Sequence, residues 1–105
     1  MSIVMKAFNA TDAKDIDAIG ALLHDDFVYF NDYEMHSRED YLVALDEFWK
    51  DKNSFEEGRR VLCDTRDCFA MERHDVFEGK EVNVTWMALL KDDKMWRAMI
   101  HRVER

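Results

Sequence analysis

Three short turn signals divide the C-terminal half of this chain, and that punctuation limits the fold more than any other feature. Arg66-Asp67, Glu78-Gly79 and Asp92-Asp93 separate four runs: Arg59 to Thr65, Cys68 to Phe77, Lys80 to Leu90 and Lys94 to Glu104. Each run is rich in β-branched and aromatic residues, which suit a pleated, half-buried backbone. Breaks of two residues between such runs read as hairpin turns, so the four runs are predicted to form an antiparallel meander. The sequence contains no proline, and none of these turns requires one.

The first half reads differently. Val4, Ala7 and Phe8 form a short apolar stripe, and Ile16, Ile19, Leu22 and Leu23 follow at helical spacing. Thr11 or Asp12 stands where the cap of this second helix belongs, with Asp15 in its first turn. Ser37-Arg38-Glu39-Asp40 opens a third helix like a capping box, and Tyr41, Leu45, Phe48 and Trp49 build its apolar face. Between the helices, Phe27 to Asn31 is a short aromatic run that reads as a strand. Helices followed by a meander indicate an α+β architecture. A curved sheet wrapped around the helices would enclose a pocket. Its outer face must also be covered, which points to a homodimer through the sheet.

Composition narrows the function. The chain has 105 residues, 48% of them apolar, with seven Phe, three Tyr and three Trp. It is read as one domain, residues 1–105, able to fill a core without disulfides or a metal. The net charge of −8 argues against a nucleic-acid backbone or an anionic membrane as partner. That charge is uneven: residues 1–57 carry 14 acidic and 5 basic side chains, residues 58–105 carry 9 and 10. The surplus therefore sits on the helical front, and the sheet behind it is near neutral. No secretory signal or bilayer-length apolar run is evident. Cys63 and Cys68 do not have Cys-x-x-Cys spacing and read as small reduced residues of a cytoplasmic protein.

Strand alternation then sorts side chains by face. On Cys68 to Phe77, one face carries Phe69, Met71, Arg73, Asp75 and Phe77. An Arg and an Asp two residues apart among apolar neighbours are either a structural ion pair or a polar couple inside a cavity. Phe27, Tyr29 and Asn31 share a face of the first strand, where the Tyr and Asn could orient a water or a ligand oxygen. Trp86 is read as core or pocket wall. The last strand offers two parities: Trp96, Ala98, Ile100 and Arg102, or Met95, Arg97, Met99 and His101. His101 could act as a general base if its parity faces the cavity. His24, His36 and His74 lack ligand spacing, so no metal is expected, and no cofactor motif is present.

Residues 15–26, Ser37 to Trp49 and the four C-terminal runs together resemble the NTF2-like (SnoaL-like) superfamily. The resemblance implies a cone of helices packed into a strongly curved antiparallel or mixed sheet, with a deep pocket and a dimer across the sheet. It does not name a reaction. The ketosteroid isomerase branch would need a carboxylate base, a tyrosine and a protonated acid near Asn31, Val4 and Trp86; these residues supply none of them.

The limonene-epoxide hydrolase branch is closer in motif. It carries Tyr-x-Asn on the first strand and Arg-x-Asp on a middle strand, matched by Tyr29, Asn31, Arg73 and Asp75. Carried over, Tyr29 and Asn31 would hold a water, Asp75 would protonate an epoxide oxygen, and Arg73 would bridge two acids. Phe27, Phe69, Met71, Trp86 and Ile100 would line the pocket. One element departs: the family's last-strand acid falls near Ile100, beside His101. General-base assistance is worth about 10²–10⁴-fold. Either His101 substitutes, or the pocket binds a small neutral ligand without this hydrolysis. A protein-interaction module offering its acidic helices to a basic partner is the further alternative.

Overall fold

A computed structural model describes residues 2–50 and 56–104. Its elements run α1 (Ile3–Asp12), α2 (Ile16–Ala21), β1 (Leu23–Asn31), β2 (Glu34–Ser37), α3 (Arg38–Lys50), β3 (Glu56–Asp64), β4 (Cys68–Phe77), β5 (Lys80–Lys91) and β6 (Lys94–Glu104). The strands form one mixed, curved sheet in the order β2-β1-β6-β5-β4-β3. β3 to β6 make the antiparallel meander, and β1 joins β6 in parallel.

Local chemistry sets the element ends. Ser2 caps α1, its hydroxyl accepting from the Met5 N–H at 3.3 Å. Thr11 and Asp12 do not cap the second helix as predicted. They belong to the last turn of α1, where the Thr11 hydroxyl donates to the Ala7 carbonyl at 2.8 Å. The chain reverses at Lys14, which has φ 52°, and the Asp15 carboxylate then caps α2 by accepting from the Ala18 N–H at 3.1 Å. Ser37 caps α3 as the sequence suggested, accepting from the Asp40 N–H at 3.2 Å. Both residues of Glu78-Gly79 and of Asp92-Asp93 have positive φ, the backbone that tight hairpins between twisted strands require.

Two strands begin earlier than expected: β1 at Leu23 rather than Phe27, and β3 at Glu56 rather than Arg59. β2 was not foreseen. A turn through Asp32, with φ 53°, folds it back on β1, placing His36 opposite Tyr29 and Glu34 opposite Asn31.

The core lies between the helices and the concave face of the sheet. Val4, Leu23, Phe27, Phe69 and Val84 are almost fully buried there. The Arg38 guanidinium donates to the Gly20 carbonyl at 2.8 Å, and the Lys14 ammonium to the Trp49 carbonyl at 3.1 Å, tying α3 to the α1–α2 layer. The parity of β6 is decided by a bulge. Leu90 pairs with Met95 but Leu89 pairs with Arg97, so β6 carries one extra residue at Trp96. Inward parity therefore switches along this strand, from Met95 to Ala98 and Ile100, and all three are buried. No described helix is long and apolar enough to cross a membrane.

Candidate functional site

The concave face and α3 leave a cavity of about 410 Å³. Its walls are mainly apolar, with Phe8, Leu45, Trp49, Phe69, Trp86 and Ile100 among them. The rings interlock: Phe8 meets Phe69 edge-on at 6.2 Å between centroids, and Phe69 lies 5.5 Å from Trp86. Such packing fixes the wall's shape as well as its polarity.

The cavity's charged and amide groups come from four strands, and one of its two phenols, Tyr41, from α3. Tyr29 and Asn31 on β1 and Arg73 and Asp75 on β4 all line it, as strand alternation predicts for each pair. Met71, Phe69, Trp86 and Ile100 line it too. Two predicted site residues lie elsewhere. Phe27 is core, buried against the Tyr41 ring at 5.1 Å and not part of the lining. His101 stands on the outer face, exposed and opposite Thr85, because the Trp96 bulge turns Ile100 inward. The side chain of Phe77, placed by alternation on the inward face, is outside the described set.

Asp75 is only 8% exposed. One carboxylate oxygen accepts from the Val76 N–H at 2.7 Å, and the other lies 3.6 Å from the Arg73 guanidinium. Burial of a charge-bearing pair in an apolar wall makes its mutual compensation strong and its disruption costly. Between the neighbouring strands β6 and β1, Arg102 donates to the Asn31 side-chain oxygen at 3.1 Å. That bond fixes which end of the amide meets Arg102, and the Asn31 NH₂ is the end that can donate to a ligand. Arg73 and Arg102 both pair in register with Val84 and so share one row of the sheet.

The two phenols are poised as donors. Burial raises the Tyr29 pKa above the usual tyrosine value, although the Arg102 and Arg73 guanidiniums pull it back. Tyr41, 4.8 Å from Tyr29 between ring centroids, is pushed up further, by burial first and by its tyrosine neighbour second. Both hydroxyls thus keep their protons at neutral pH. The cavity consequently offers an apolar body site and, at one end, an Arg–Asp couple, an amide donor and phenolic donors.

Arg102, Tyr41, His36 and Glu34 also line the cavity and were not singled out from the sequence. Arg102 was within reach, since it shares the Ile100 parity. His36 and Glu34 lie on the short unforeseen strand β2.

No protein-family model and no curated protein matches this sequence. Solved structures do match its fold. An NTF2-like protein of unknown function from Cytophaga hutchinsonii superposes with a TM-score of 0.77 at 10% identity, covering 96% of this chain and 87% of that one. A candidate ketosteroid isomerase from Kribbella flavida gives 0.81 at 19% identity, covering 98% and 76%. An LEH-like epoxide hydrolase from M. tuberculosis gives 0.68 at 18% identity, covering 96% and 80%. These likenesses show a shared fold.

Proposed function

We propose, from the NTF2-like fold as premise, that this protein takes up a small, mostly apolar neutral molecule in its concave cavity. In this reading the apolar walls hold the body of the molecule. Tyr29, Asn31, Arg73 and Asp75 hold its one oxygen function. The observation that carries the reading is their convergence on a single cavity from two strands that are not neighbours in the sheet.

The enzymatic form of this proposal is epoxide opening. Tyr29 and Asn31 would position a water whose oxygen bonds to the ring carbon as the ring C–O bond breaks. Asp75, held by Arg73, would give its proton to the ring oxygen, and the proton shed by the water would pass to solvent, from which Asp75 is reprotonated. A non-catalytic binding form is favoured by two observations: Ile100 occupies the last-strand position opposite Asn31, and His101 faces away from the cavity. Incubation with a panel of small cyclic epoxides separates the two. Diol formation that falls on Asp75→Asn and Tyr29→Phe substitution supports the enzyme. Ligand-dependent rises in Tm without diol support the binding form. Neither effect with any compound would contradict the pocket reading.

The partner proposed for the outer face is a second copy of the chain. Met35, Phe30, Met99 and Met87 are successive register partners across four strands, and each is substantially exposed. A continuous apolar row of this kind is unfavourable in water and self-complementary about a two-fold axis. Sedimentation should show a dimer that Met99→Glu converts to monomer, whereas a monomeric wild type would contradict the assignment.

A further inference from the structure

The cavity lacks an acid or base on the last strand, but β2 brings one to the opposite wall. His36 and Glu34 alternate onto the inward face of β2, beside Tyr29 and Asn31. The His36 Nε2 lies 3.2 Å from a Glu34 carboxylate oxygen, and the His36 ring centroid is 6.0 Å from that of Tyr29. His36 is the one histidine of the four that lines the cavity. Its side chain is 25% exposed, that of Glu34 73%, so the couple sits at the rim with the imidazole on the inner side.

We propose that His36 is the general base of this cavity and that Glu34 is its positioning residue. The inference rests on the pocket reading above and deepens it. An ionised carboxylate can only accept, so in the neutral imidazole Nε2 carries the hydrogen bonded to Glu34. The lone pair then lies on Nδ1, the nitrogen available to take a proton. Glu34 fixes that tautomer and stabilises the imidazolium that forms, the role the carboxylate has in a Ser-His-Asp triad. Tyr29, Asn31 and Arg73 supply donors for the negative charge that appears elsewhere on the substrate. The substrate class is a small, mostly apolar neutral compound whose reaction begins with a proton taken either from one of its carbons or from a water placed against it.

A probe of known chemistry makes the proposal testable without the natural substrate. In 5-nitrobenzisoxazole, loss of the ring C–H proton to a base forms the nitrile as the N–O bond breaks, releasing a coloured phenolate with no other reactant. The protein should accelerate this elimination well beyond an equal concentration of free imidazole. His36→Gln should lower kcat about 100-fold, within the range of general-base contributions. His36→Ala should be rescued by added imidazole. Glu34→Gln should lower kcat several-fold with KM unchanged and be largely restored in Glu34→Asp, a pattern that a purely structural ion pair would not produce. His101→Gln should change nothing.

Binding is followed separately, by quenching of tryptophan fluorescence from the cavity wall. Binding without acceleration would overturn the base and leave the pocket intact. Acceleration lost in Asp75→Asn but kept in His36→Gln would also overturn it. Absence of both binding and acceleration would overturn the pocket and the base together.

Discussion

The concave and convex faces of this sheet are made by the same strands, residue by alternate residue, yet they differ in kind. On β6, Ile100 is 7% exposed on the concave side and its neighbour Met99 is 48% exposed on the convex side. On β5, Val84 is sealed while Met87 and Leu89 are open. The concave face mixes apolar walls with a few polar groups that hold one another: Arg73 with Asp75, Arg102 with Asn31, His36 with Glu34. The convex face offers the apolar row, an Arg60–Glu72 ion pair, and an exposed His101 opposite Thr85. A histidine thus has different prospects on the two sides. His36 has an oriented partner and a cavity; His101 has neither the cavity nor an inward parity.

This contrast can be challenged most strongly at the concave face. Phe69 is 2% exposed and touches Phe8 and Trp86, so Phe69→Ala should remove about 3–5 kcal/mol of stability. Thermal unfolding would register this as a fall in Tm of roughly 4–8 °C per kcal/mol. A change below 1 kcal/mol would mean that the concave wall is not a packed core.

A smaller effect should appear in alkali. Tyr41 has a folded-state pKa above its unfolded value of 10.0, raised chiefly by burial. The folded state therefore holds this proton more tightly. The stability tied to it is fully present below pH 10 and is lost as pH rises above the unfolded value. Unfolding free energies from denaturant titrations at pH 9 to 11.5 should fall less steeply in Tyr41→Phe than in the parent, by up to about 1.4 kcal/mol per pH unit. Equal slopes would place the phenol in water. The smallest effect is expected on the convex side, where His101→Gln should change stability by no more than about 0.5 kcal/mol.

Much of the inward face was legible before the structure because alternation needs no partner. The ends of β4 and β6, the hairpins at Glu78-Gly79 and Asp92-Asp93, and the shared face of Arg73 and Asp75 all follow from the pattern of residues. The parity of β6 did not follow. It depends on a bulge at Trp96, and a bulge is a property of the pairing between two strands rather than of one run. β2 escaped for a different reason. Glu34-Met-His-Ser37 is four residues long with no β-branched side chain, and it is held in the sheet by its turn and by β1. His36 and Glu34 were therefore invisible as site residues. Their histidine–carboxylate spacing acquires meaning only once the hairpin sets them beside Tyr29 and Asn31.

The helix cap at Asp15 shows a similar limit. Thr11, Asp12 and Asp15 are all competent caps by residue type. Which one serves is settled by the left-handed turn at Lys14. Propensity names the candidates, and the backbone reversal chooses among them.

In the proposed function the concave cavity, and not the convex face, receives a small molecule. The methionines report on both sides at once: Met71 and Met95 line the cavity, while Met87 and Met99 lie exposed on the convex sheet. Titration of ¹³C-methyl-methionine protein with a small cyclic diol, followed by NMR, distinguishes the two faces. The Met71 and Met95 methyls should shift while those of Met87 and Met99 stay unmoved. Shifts confined to Met87 and Met99, or no saturable shift at any methionine, would contradict binding in the cavity.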